Sequence, residues 1–373
     1  LPSVLLLIGT GICIKYLARY YGYVEQDVMT LVKVLGAVGL IMIVLEAALD
    51  LKINRKKTSL IRNSFFSAFI ISAISMLSIG WLITYWLGES FGHSILYAIP
   101  MSIISSAIVI PSTEHLPVFK KEFVVYESSF SDILGILAFN YIVAKEALSI
   151  SSGFSFMGSI ALAIGIAIAA SLLLTYMLSH IKINLKFFLI FSILSMVYAM
   201  GEMIHLPSLL IVLVFGLVFN NPDLFSKGVL KRIMGPDNNG ETLLLLKSLT
   251  AETSFLIRTF FFILFGYTIQ LSVLLVPIVW ELGTAIVLCI LLIRFLYLRF
   301  ILRANLFPEL LLVPRGLVTI LLFYRIPPDK VLRNFNVGIL FYVIVLTSVL
   351  MTIGLLFFKD KRQSLLSGNE EGG

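Results

Sequence analysis

The sequence predicts an all-α polytopic membrane protein, an inverted-repeat helical bundle in which one span of each half is interrupted. Three observations predict it. Of 373 residues, 59% are hydrophobic and only 13% charged, whereas soluble domains carry about 25% charged residues. Mean hydropathy is +1.02. Twelve apolar stretches approach the roughly 20 residues that a bilayer crossing needs, and two of them carry prolines around polar or charged residues.

The stretches run approximately over 2–20, 28–51, 60–87, 93–113, 122–148, 154–180, 185–203, 206–220, 243–271, 273–303, 308–326 and 334–358. Short polar loops separate them. The longest, about 221–242, holds the turn formers Asn221-Pro222 and Gly235-Pro236-Asp237-Asn238-Asn239-Gly240. The tail from Ser364 to Gly373 is polar and is expected to be disordered. Lys52, Arg55, Lys56, Lys57, Arg62, Lys120, Lys121, Lys182, Lys186, Lys227, Lys231, Arg232, Arg299, Arg303, Lys359, Lys361 and Arg362 fall on one set of loop ends. Far fewer bases, Arg19, Lys145, Arg325, Lys330 and Arg333, fall on the other. The positive-inside rule therefore places the basic loops and the C-terminus in the cytoplasm, and the cell (inner) membrane is the expected location.

The two interrupted spans are the fourth and the eleventh. The fourth carries Pro100 and Pro111 around Ser102, Ser105, Ser106, Ser112 and Thr113; the eleventh carries Pro308, Pro314 and Gly316 around Arg315. Broken helices in corresponding places point to a transporter site. With 154–180 as a linker helix, the second half has six spans with the broken one fifth, and the first has five with the broken one fourth. Leu1-Pro2 also runs straight into an apolar stretch. The expectation is an original protein of thirteen helices.

The net charge of +7 does not point to nucleic acid, because the bases gather in loops. Cys13 and Cys289 lie in apolar runs and imply no disulfide framework. With no phosphate loop, metal-ligand cluster or nucleophile triad, neither an enzyme nor a cofactor is expected.

Charges inside the spans carry the functional reading. Asp132 follows Glu127-Ser128-Ser129-Phe130-Ser131 and lies well inside an apolar run. A carboxylate there costs several kcal/mol and is kept for a reason. Asp132 is read as a monovalent-cation ligand that takes a proton when the cation leaves; the plainer alternative is a carboxylate paired to an Arg. Hard cations want oxygen ligands, and Ser128, Ser129 and Ser131, with Ser105 and Ser106 of the broken span, offer them. Glu127 lies five residues away, about 140° round the helix, and faces different neighbours. Arg294 needs a buried carboxylate, Glu127 for preference, with Asp132 or another acid as alternatives. Arg258 is assigned to Glu202 or to a helix end. Arg315 holds broken ends or places positive charge near the site. Glu46 and Asp50 read as interfacial.

These residues carry a resemblance. ESSFSD at 127–132, with LPSVLLL at 1–7, LEAALD at 45–50, RTFFFILFG at 258–266, RFLYLRF at 294–300 and PRGLV at 314–318, resembles the monovalent cation:proton antiporter superfamily in its sodium/proton exchanger branch. The resemblance implies spans four and eleven crossing at unwound centres. It implies an ion-binding core over 93–148 and 273–358, a mainly dimerising scaffold over 1–87 and 185–271, and a homodimer. Asp132 would take the essential aspartate's role, and Glu127 and Arg294 the buried ion pair. From their own place in the spans, Arg315 and Arg258 are assigned electrostatic tuning. Two departures stand out. Ser131 occupies the place of the family's Asn, and Ser105-Ser106-Ala107 replaces its Thr-Asp-Pro, which removes a carboxylate. Sodium, potassium and lithium all stay open, and one remaining titrating carboxylate favours electroneutral exchange. The rival readings are a gated cation channel and a membrane sensor or scaffold module.

Overall fold

The computed structural model describes residues 3–22, 29–51, 57–144, 150–180, 186–204, 206–221, 239–303 and 306–370. The turn-rich loop over 222–238, the loop bases Lys52, Arg55, Lys56, Lys145, Lys182, Lys227, Lys231 and Arg232, and the termini Leu1-Pro2 and 371–373 lie outside them. The described residues are helical, joined by turns and irregular stretches, with no strand among them. Its elements are α1 (Ser3–Tyr20), α2 (Met29–Asp50), α3 (Thr58–Leu87), α4 (Phe91–Ser102), α5 (Ser106–Ser112), α6 (Val118–Ala144), α7 (Ile150–His180), α8 (Lys186–Met203), α9 (Ser208–Asn220), α10 (Asn239–Thr268), α11 (Pro277–Leu296), α12 (Leu317–Tyr324) and α13 (Val337–Glu370). Among the described residues, with α4 and α5 counted as halves of one, a helix falls within each of the twelve expected stretches, in order.

Contacts divide the chain into two units. One comprises Leu1–Val32, Leu60–Gly135 and Phe261–Gly373; the other comprises Lys33–Ser59 and Ile136–Phe260. The candidate site lies entirely in the first. There the interrupted span Phe91–Ser112 is as apolar as a lipid-facing helix, yet 89% of its most apolar stretch is buried, against 33% for Pro277–Ile301. It is therefore a core element clad by other helices. In that unit α1 and α10 touch backbone to backbone. A Cβ on Gly11 would lie 2.0 Å from the Ile263 carbonyl oxygen, and one on Gly266 2.3 Å from that of Ile8. Small residues permit such approach between membrane helices.

The break in the fourth span falls at Ile103-Ile104-Ser105, between its two prolines and not at either. Both prolines sit inside the half-helices. Two β-branched residues followed by a serine favour the extended backbone that Ile103 and Ser105 adopt. Gly135 on α6 makes room for it, since a Cβ there would meet the Ile103 side chain. The eleventh span departs further from expectation. Only Leu317–Tyr324 is helical; residues 307–311 are turns and 312–316 have no regular structure. Pro308 and Pro314 cannot donate to a helical ladder, which removes the regular bonds from that stretch. The tail is a second correction: α13 runs on to Glu370 instead of ending in disorder at Ser364. The stretch Lys359–Leu366 contains neither Gly nor Pro, so nothing local stops the helix.

The second unit holds Arg258, whose Nη2 reaches Glu46 Oε2 at 3.3 Å. The acid it meets is thus Glu46, which the sequence had read as interfacial. Glu202 accepts instead from Tyr198 at 3.0 Å and Ser208 at 2.8 Å. A partner 212 positions away leaves no local signal.

Candidate functional site

A broken helix in a membrane frees backbone groups that must be satisfied inside the protein. At residues 101–106 the partners are specific. The Ile104 amide donates to Ser131 Oγ at 3.0 Å, and the Ser106 amide to Asp132 Oδ2 at 3.1 Å. Between them, the Ser105 amide donates to the Pro314 carbonyl at 2.9 Å, so the two unwound segments meet backbone to backbone. On the other side of the break, Arg315 serves the carbonyls that end α4. Its Nε donates to Met101 at 2.8 Å and its Nη2 to Ser102 at 3.2 Å, while Nη1 returns to Val313 at 2.7 Å. Arg315 is completely buried, and none of these partners is a carboxylate. Carbonyl dipoles at a helix C-terminus suit a cation. Its own amide donates to Thr347 Oγ1 on α13 at 3.2 Å.

Asp132 faces the opposite end of the break. Its Oδ2 takes both the amide and the hydroxyl of Ser106. Its Oδ1 is buried and has no hydrogen-bond partner in the protein, and the same holds for Ser105 Oγ. A buried acceptor without a partner is costly. Two oxygens in this condition at one break, one of them carboxylate, form a donor set suited to a small hard cation or a proton. Space beside Ser105 depends on Gly316, where a Cβ would come within 2.5 Å of Ser105 Oγ. Ser128 and Ser129, expected to add oxygens near Asp132, turn back onto the Val125 carbonyl of their own helix at 3.1 and 2.9 Å.

Glu127 is occupied elsewhere. It is fully buried, as is Arg294, and the two form a bidentate pair with Nη1–Oε1 3.0 Å and Nη2–Oε2 2.7 Å. Ser67 of α3 donates to Oε1 as well. Arg294 uses its Nε on the Glu309 carbonyl at 2.7 Å.

The model of the sodium/hydrogen exchanger transmembrane family matches residues 1–359. The chain belongs to the sodium/hydrogen exchanger family. Its members are transporters, not enzymes, and the chain is an integral membrane protein. A structure of the sodium proton antiporter MjNhaP1 from Methanocaldococcus jannaschii at pH 8 resembles the fold with TM-score 0.69 and 18% identity, covering 95% of this chain and 89% of that one. A second structure of the same antiporter, an electron-microscopy map, gives TM-score 0.68 and 18% identity over 96% and 89%. No curated protein matches significantly.

Within this exchanger fold, several participants escaped the sequence reading. Ser72 on α3 shares a hydrogen bond with Ser131 at 3.1 Å, and Ser64 donates to the Phe123 carbonyl at 3.2 Å. With Ser67 they join α3 to α6. Ser64 and Ser67, both completely buried, lie three residues apart and so share one helix face, whereas Ser72 lies about 80° round from Ser64. That spacing was the available signal. The ion pair of Lys120 with Glu309 at 2.6 Å had none, because 189 positions separate them.

Proposed function

We propose that this chain exchanges a monovalent cation for a proton by alternating access, both species competing for Asp132. Sodium is the first candidate, with potassium and lithium as the others. The observation that carries the reading is the half-satisfied carboxylate. Oδ2 is held by Ser106, while Oδ1 and the neighbouring Ser105 hydroxyl have no protein partner. A bound cation is matched by the negative carboxylate. After the cation leaves, a proton neutralises the same buried group, whose charge would otherwise be expensive. The two occupants exclude one another, and that exclusion couples the fluxes.

Glu127 is committed to Arg294 and Ser106 contributes no charge, so one carboxylate titrates at the site. One cation for one proton, electroneutral, follows from that count. In this proposal residues 93–148 and 273–358 form the moving ion-binding core and 1–87 with 185–271 the scaffold of a homodimer. The membrane is the cell membrane, with the C-terminus in the cytoplasm. Arg315 is assigned the tuning of the site's potential, and Arg258 the same role from its pair with Glu46.

The test is purified protein in liposomes with an internal pH dye. Sodium, potassium or lithium added outside should drive a pH change that an imposed membrane voltage does not alter. Cation movement without coupled proton movement would mark a channel and refute exchange. A voltage-dependent rate would refute the one-for-one stoichiometry.

A further inference from the structure

We propose that Lys120 and Glu309 form a positioning clamp that sets the cation affinity of the Asp132 site from a distance. The inference rests on the cation-binding reading above and names residues that touch neither Asp132 nor the break.

Glu309 is gripped at both ends. Lys120 Nζ meets its carboxylate oxygens at 2.6 and 2.7 Å and also donates to the Phe307 carbonyl at 2.8 Å. Arg294 takes the Glu309 carbonyl at 2.7 Å while its other nitrogens hold Glu127. Lys120 and Glu127 are seven residues apart on α6, which puts them about 20° apart around the helix and about 10 Å apart along it. One rigid helix thus fastens the stretch 307–316 at two points, directly through Lys120 and through Arg294 from Glu127.

That stretch has little internal order to fix its own position. The backbone bonds within it are local: Leu310 to Leu306, Leu311 to Pro308, Leu312 to Glu309 and Val313 to Leu311. At its far end, the Pro314 carbonyl receives the Ser105 amide and Arg315 holds Met101 and Ser102. Ser106 then contacts Asp132, which returns to α6. The contacts close a ring from α6 through Lys120–Glu309, residues 310–315, the break, and Asp132 back to α6. Loosening the clamp lets the break drift against Asp132, so ligand geometry changes while the ligands remain. Exposed ion pairs contribute little, but here the Glu309 side chain is only 9% exposed and Lys120 19%.

Four variants test the clamp: Lys120→Met, Glu309→Gln, Glu309→Asp, and the charge exchange Lys120→Glu with Glu309→Lys. The readouts are sodium KM for proton-coupled flux in liposomes and the sodium concentration giving half-maximal thermal stabilisation in detergent. Each neutralising variant should raise both by about tenfold, equivalent to about 1.4 kcal/mol. The maximal rate per folded molecule should stay within about twofold, the pattern of altered binding. Glu309→Asp keeps both charges, so it folds if the neutral variants do not, and should give a smaller rise in the same direction. The charge exchange should return both values toward wild type. Unchanged sodium dependence in the variants that fold, or a charge-exchanged protein no better than the single variants, overturns the clamp. Sodium stabilisation of wild type without proton-coupled flux would refute exchange while the binding readout still judges the clamp. A wild type that none of sodium, potassium and lithium stabilises or drives would overturn both.

Discussion

Arg294→Met is expected to destabilise the protein by about 3–5 kcal/mol, the cost of breaking a buried ion pair. The change strands Glu127, completely buried, with the Ser67 hydroxyl still donating to it. It also removes the donor to the Glu309 carbonyl. Glu127→Leu is expected to do comparable harm by stranding the guanidinium. The double variant should be more stable than either single one, because no lone charge then remains buried. Denaturation of detergent-solubilised protein measures all three. Single variants that lose less than about 1 kcal/mol would show the pair to be solvated like a surface bridge.

Arg315→Gln is expected to abolish exchange and to cost at least about 2 kcal/mol of stability. Three carbonyls, of Met101, Ser102 and Val313, lose their donors. Each orphaned buried carbonyl costs about 1–3 kcal/mol, and a glutamine amide can serve only part of the set. Removing a buried cation gives some of this back. The return is small, because the carbonyl dipoles already solvate the guanidinium. Arg315→Lys should not restore exchange, since a single ammonium lacks the planar fork that spans both broken segments. Thermal unfolding and liposome flux, measured together, check both effects. Full activity in Arg315→Gln would remove Arg315 from the site.

What the sequence disclosed and what it withheld follow from the range of the interactions. The twelve apolar runs were legible because each approaches bilayer length, and the two interruptions because proline and small polar residues mark them. Asp132 was legible because a carboxylate in such a run is expensive. The place of the break was less so. Prolines 100 and 111 suggested it, but Ile103 to Ser105 carries it, because Ser131, Pro314 and Asp132 supply the partners those amides need. Such partners lie outside the local sequence. The same holds for Lys120 with Glu309 and Arg258 with Glu46, which only tertiary packing brings together. The disordered tail was misread because polarity was taken for disorder, although helix formers from Lys359 to Leu366 continue α13.

The central claim is that one carboxylate, Asp132, binds cation and proton in turn. The measurement that tests it most directly is sodium-driven proton flux in liposomes carrying wild type or Asp132→Asn. Asparagine keeps an oxygen to accept from Ser106 and nearly the same shape, so the variant should elute and unfold like wild type. It has neither charge for a cation nor a site for a titrating proton. The account predicts flux in wild type and only the empty-liposome background in the variant. Proton flux that persists in well-folded Asp132→Asn would contradict it.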